Sequence, residues 1–97
     1  MRPFDLHGLR TYDLQSRPSK VFVTDLGNYK VRRIRGDVVT TVAGSGTAGY
    51  LDHDVTLMAQ FCGLEGICGK SDGSMLYVSD GGRGEDVPYN YIRQIKL

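Results

Sequence analysis

The sequence predicts an all-β chain made of one four-stranded antiparallel meander followed by a second meander that lacks its last strand. Three observations predict it. Glycine supplies 13 of the 97 residues and tryptophan none, a composition that suits many tight turns joining short strands. Runs rich in β-branched and aromatic residues are bounded by turn pairs such as Gly27-Asn28 and Gly36-Asp37, where left-handed backbone angles are tolerated. The third observation is an internal repeat.

Gly8-Leu9 recurs as Gly63-Leu64, and Val21-Phe22-Val23-Thr24-Asp25 recurs as Leu76-Tyr77-Val78-Ser79-Asp80, both at an offset of 55. Tyr29-Lys30-Val31-Arg32-Arg33-Ile34 then recurs as Asn90-Tyr91-Ile92-Arg93-Gln94-Ile95 at an offset of 61, so the second copy carries six extra residues within 81–88. Landmarks kept in one order mark a repeat architecture.

The first copy yields four strands. Residues 8–14 (GLRTYDL) and 20–25 (KVFVTD) are short extended runs, 29–35 (YKVRRIR) follows the Gly27-Asn28 turn, and 37–43 (DVVTTVA) follows Gly36. The second copy yields three: 63–68, 75–80 and 90–96. Val21-Phe22-Val23 and Val38-Val39 put apolar residues on both faces, as in a sheet covered on both sides. A meander sandwiched between neighbours and repeated every few dozen residues is the pattern of a β-propeller blade.

The second-strand residues Tyr77-Val78-x-Asp80 belong to a wider set with Asp25-x-Gly27-Asn28-x-x-Val31-Arg32-x-Ile34 and Val39-x-Thr41-x-Ala43-Gly44-x-Gly46-x-x-Gly49-x-x-Asp52, followed by Ala59-x-Phe61. This set resembles the NHL repeat over about residues 8–97. Tyr29 stands where that family carries its histidine, and Cys62 where it carries a proline before the next glycine. The resemblance implies one partial propeller unit over 1–97, with repeat one at 8–43, a linker at 44–62 and repeat two at 63–97.

Gly44-x-Gly46-x-x-Gly49 has the spacing of a dinucleotide-binding fingerprint. A nucleotide fold needs a long helix and a parallel strand after the glycines, and Tyr50-Leu51-Asp52-His53-Asp54 is a poor helix interior. The glycines are instead expected to serve the passage from one blade to the next, where tight turns favour residues without a Cβ. No cofactor is expected.

Other constellations read as structural. Asp25 and Asp80 end equivalent strands and are expected to accept N–H groups of the following turn; the competing reading makes them metal-binding carboxylates of a propeller hydrolase or lyase. Cys62 and Cys68 are the only cysteines and are expected to be buried and inert. His53 is expected in a solvated loop, and neither a serine elbow nor a cysteine beside histidine marks a nucleophile, so no catalytic residue is assigned and the chain is not expected to be an enzyme.

Charge is uneven. Residues 1–36 hold eight basic and three acidic residues, a balance of +5; residues 37–97 hold four and eight, a balance of −4. Opposite halves favour a head-to-tail contact between copies, and the expected partner is another protein or the chain itself. Arg83, Glu85, Asp86 and Tyr89 lie in or beside the insertion and are the expected partner contacts, since function resides in loops on a fixed frame. Lys30, Arg32, Arg33 and Arg35 form a basic strand whose alternative reading is a surface for single-stranded RNA, with Tyr12, Phe22 and Tyr29 for stacking. Val31 and Ile34, three apart, predict a twist or bulge there. With no apolar run of membrane length and two unframed cysteines, no membrane contact and an intracellular, cytoplasmic setting are expected.

Overall fold

The computed structural model describes residues 10–14, 20–81 and 90–97. They form two antiparallel sheets. The first contains β1 (Arg10–Leu14), β2 (Lys20–Asp25), β3 (Lys30–Arg35) and β4 (Val38–Ala43), in the order β1-β2-β3-β4. The second contains β5 (Leu64–Gly69), β6 (Met75–Gly81) and β7 (Asn90–Lys96), in the order β5-β6-β7. The described residues include two single-turn 3-10 segments, Leu26–Asn28 and Thr56–Met58, and no α-helix. None of their helices is long and apolar enough to cross a membrane. The all-β expectation holds, and neither sheet closes into a barrel.

Strand limits differ from the sequence expectation by a residue where turn geometry decides. β3 starts at Lys30 because Tyr29 caps the preceding turn in the left-handed region, with φ 57° and ψ 39°. β4 starts at Val38 because Gly36, at φ 58°, turns the chain before it. The expected irregularity in β3 appears in its pairing with β4. Val31 faces Ala43 while Arg32 faces Thr41, so Val42 is an extra residue on β4, the arrangement of a β-bulge.

The internal repeat is a structural repeat at the level of register. Asp25↔Lys30, Thr24↔Val31, Val23↔Arg32, Phe22↔Arg33 and Val21↔Ile34 in the first sheet correspond to Asp80↔Tyr91, Ser79↔Ile92, Val78↔Arg93, Tyr77↔Gln94 and Leu76↔Ile95 in the second. The second sheet adds its own bulge in β5, where Glu65 and Gly66 together oppose Ser79 and the Gly66 N–H donates to Ser79 Oγ at 2.7 Å.

The core lies between the sheets. Leu14, Phe22, Val31 and Ala43 come from the first, Leu64, Leu76, Val78 and Ile95 from the second, with Ala59 and Phe61 supplied by the linker. Each fully buried large aliphatic or aromatic side chain contributes about 1.5–3 kcal/mol.

Side chains alternate across each sheet, so register assigns the faces. The first sheet turns Phe22, Thr24 and Val31 toward the second, which answers with Leu76, Val78, Asp80, Arg93 and Ile95. Thr24 Oγ1 crosses the seam to donate to the Glu65 carbonyl at 2.8 Å. By repeat position, the contacting face of the second sheet is equivalent to the face of the first that carries Val21, Val23, Asp25, Arg32 and Ile34. The sheets therefore pack by unlike faces, front on back.

Candidate functional site

The linker, residues 44–62, fixes that packing. It folds back on itself through Gly44 N to Thr56 O (3.0 Å), Ser45 N to Ala59 O (2.9 Å), Gly49 N to Phe61 O (3.0 Å) and Gln60 N to Leu51 O (2.9 Å). A parallel bridge pairs Ala48 with Phe61. Gly44 and Gly46 have φ of 100° and 92°. A Cβ on Gly44 would overlap the Tyr29 carbonyl oxygen and lie 2.9 Å from Lys30 Cα. Close backbone approach at a positive φ thus requires glycine here, and the motif is a passage between sheets.

A charge node, buried at Asp80 and Arg93 and open to solvent at Asp52, clamps the linker to the second sheet. Arg93 Nη1 lies 2.7 Å from Asp80 Oδ2 and donates to the Gln60 carbonyl at 3.0 Å. Its Nε and Nη2 meet Asp52 Oδ1 at 3.0 and 2.8 Å, and Nη2 also donates to the Leu51 carbonyl at 3.0 Å. Four of the five N–H donors of the guanidinium make hydrogen bonds in this way. The Arg93 guanidinium also stacks over Phe61, 4.7 Å from the ring centroid, a cation–π contact. The second oxygen of Asp80 accepts the N–H groups of Cys62 and Gly63 at 3.0 and 2.7 Å.

Asp80 was expected to bind the turn after its own strand. That turn, 82–89, lies outside the described residues; among those described, Asp80 takes two backbone donors from the linker, 18 and 17 residues earlier, because β6 delivers its end beside the start of β5. Asp25, the repeat counterpart, accepts from Asn28 Nδ2 at 2.9 Å and pairs with Arg32 Nε at 3.2 Å. Arg32 Nη1 continues to Thr41 Oγ1 on β4 at 2.6 Å. Each repeat thus holds one aspartate–arginine pair at matched positions, more exposed in the first.

Strand alternation splits the basic strand. Lys30 and Arg32 lie on the face of Val23, and Arg33 and Arg35 on the face of Phe22. Arg33 Nε and its cross-strand neighbour Thr40 Oγ1 are buried without a hydrogen-bond partner. Tyr12 and Phe22 stack with centroids 6.4 Å apart, packed at the core.

Cys62 is buried and Cys68 is exposed. The expectation that both are buried fails at Cys68, which pairs with Tyr77 on the outward face of the second sheet. His53 is exposed, its Nδ1 accepting the Val55 N–H at 2.9 Å. Among the described residues no group of three or more His, Cys, Asp or Glu side chains is placed to hold a metal. The expected contacts Arg83, Glu85, Asp86 and Tyr89 lie outside the described residues.

The uncovered surfaces are the second candidate site. On the outward face of the second sheet Ile92 is 72% exposed, whereas Val31, its repeat counterpart, is 0% exposed in the seam. Among the described residues β7 has a strand neighbour on one side only, β6. A cleft of about 380 Å³ runs along β7 between Ile92 and Ile95 and the linker residues His53 and Thr56. Val55, Leu57 and Met58 are exposed nearby.

No family model matches the chain, and no curated protein matches it.

Proposed function

We propose that this chain is a pair of propeller-type blades, similar to NHL repeats, that works as a protein-interaction scaffold and is completed by oligomerisation or within a larger assembly. One observation carries the reading: two sheets of matched register pack front on back, and the outward face of the second leaves Ile92 72% exposed. An arrangement of that sort adds further units without changing the contact. The exposed Ile92 face and the one-sided β7 add apolar area and an open sheet edge, two features that favour association.

The test is sedimentation velocity over a wide range of protein concentration. Growth from the single-chain mass to a defined larger particle supports the scaffold. A single-chain mass throughout the range overturns it.

A further inference from the structure

We infer that the outer edge of β7 receives one extended strand of a partner protein, antiparallel to β7, β-branched in its middle and basic at its end. The inference rests on the scaffold reading and deepens it by naming the partner's chemistry.

Hydrogen-bond direction shows what the edge offers. The Leu97 N–H donates to the Ser74 carbonyl at 3.0 Å, continuing the register that sets Lys96 opposite Met75 and Ile95 opposite Leu76. Backbone groups alternate sides along an antiparallel strand. Tyr91, Arg93 and Ile95 therefore address β6, as Leu97 does, while the N–H and C=O groups of Ile92, Gln94 and Lys96 point away from it. Among the described residues none of these outward groups has a backbone partner. Ile92, Gln94 and Lys96 are all exposed.

The first repeat shows the same edge filled. Val31, Arg33 and Arg35 are the register equivalents of Ile92, Gln94 and Lys96, and β4 lies beside them, with Thr40 opposite Arg33 and Val38 opposite Arg35. That strand reads Val38-Val39-Thr40-Thr41-Val42-Ala43. A row of unpaired N–H and C=O groups is a template for an added strand. Main-chain pairing then supplies affinity, and pockets for alternate side chains supply selectivity.

The cleft of about 380 Å³ along this edge supplies such pockets. Ala43, Ala59, Phe61 and Ile95 make part of its lining apolar, and a side chain placed opposite Ile95 turns toward that part. Where the cleft reaches Arg93 its lining is acidic. Asp52 bonds Arg93, and Asp54, two residues on, lines the same cleft; both are exposed. Asp52, Asp54 and Asp80 against the one Arg93 guanidinium leave this end at −2. Lys96 marks the other end with a positive charge. A strand antiparallel to β7 starts beside Lys96 and finishes beside Ile92, so a lysine or arginine at its end complements the acidic lining.

The probe is an amidated synthetic peptide that copies residues 38–43 and ends in two added lysines, titrated into the isotope-labelled full chain. The expected result is saturable binding, with amide exchange at Ile92, Gln94 and Lys96 slowed about tenfold or more. N-methylation of the peptide at its copy of Thr40, which faces β7, is expected to abolish binding. The same change at its copy of Thr41, which faces away, is expected to leave binding intact. Glutamates in place of the two lysines are expected to weaken binding about threefold, and Asp54→Lys to restore it for the glutamate peptide. No binding, or binding indifferent to N-methylation at the Thr40 copy, overturns the inference. Slow exchange of the three amides without peptide also overturns it; if the slowing grows with protein concentration, a second copy occupies the edge and the scaffold stands. A single-chain mass in sedimentation, with the peptide bound and the three amides protected, overturns self-assembly and supports the edge assignment.

Discussion

Arg93 and Asp80 form a 2.7 Å ion pair in which the carboxylate side chain has no solvent exposure and the guanidinium is 9% exposed. The pair sits where β6, β7 and the linker meet. Removing one charge of a buried pair costs about 3–5 kcal/mol when the other is left uncompensated; the exposed Asp52 still faces Arg93, which sets the loss at the lower end, about 3 kcal/mol. Asp80→Asn is therefore expected to lower unfolding stability by that amount in urea titration. Asp25→Asn, whose carboxylate is 7% and whose arginine is 21% exposed, is expected to cost less, about 1–3 kcal/mol.

Gly44→Ala sets a Cβ against the Tyr29 carbonyl at a φ of 100°. Both the overlap and the backbone angle oppose it. The expected loss exceeds about 1 kcal/mol, measured by the same titration. Gly27→Ala, with nothing within 4 Å of the added carbon, is expected to change stability by less than about 0.5 kcal/mol.

Val31 and Ile92 occupy equivalent register positions in opposite surroundings. Val31→Ala is expected to cost about 2 kcal/mol through lost burial. Ile92→Ala is expected to stay within about 0.5 kcal/mol when measured at concentrations where the chain is single. Equal losses at the two positions would contradict the assignment of faces.

Thr40 Oγ1 is buried with no hydrogen-bond partner. Thr40→Val keeps the branched shape and removes the orphaned hydroxyl, so the variant is expected to be as stable as the parent or more stable by about 1 kcal/mol. Thermal melting decides it.

Hydrogen bonds from the Ser74 hydroxyl, at 2.7 Å, and the Ser74 N–H, at 3.0 Å, hold the Asp72 carboxyl below its ordinary value of 3.8. A carboxylate depressed in the folded chain contributes stability above its unfolded pKa, and that contribution is lost as pH falls through the folded one. The effect is confined to acid below about pH 4. Ser74→Ala is expected to return the Asp72 titration, followed by carboxyl NMR shifts, toward the ordinary value.

Strand positions were legible because β-branched runs and turn pairs are local signals: 20–25 and 90–96 were read to the residue. The aspartate–arginine pairs were harder. Their separations, 7 residues for Asp25 and Arg32 and 13 for Asp80 and Arg93, differ because of the insertion, so no fixed spacing announces them. The repeat alignment held the signal, since it sets Asp25 on Asp80 and Arg32 on Arg93. The part played by Asp52, 41 residues from Arg93, depends on how the linker folds back, so the glycine motif that closes on Asp52 marks the residue without marking its partner. Cys68 misled for a related reason: the bulge at Glu65 and Gly66 shifts the later residues of β5 by one, which turns its side chain outward.

The doubled-back linker, closed by its own backbone hydrogen bonds and clamped by Arg93, makes a stiff hinge pin of what would otherwise be a tether. A stiff joint imposes one rotation and one rise at each step. In any array built by repeating that step, the angle alone decides between a closed wheel and an open spiral, and a small change in the pin at Gly44 or Asp52 is multiplied by the number of steps.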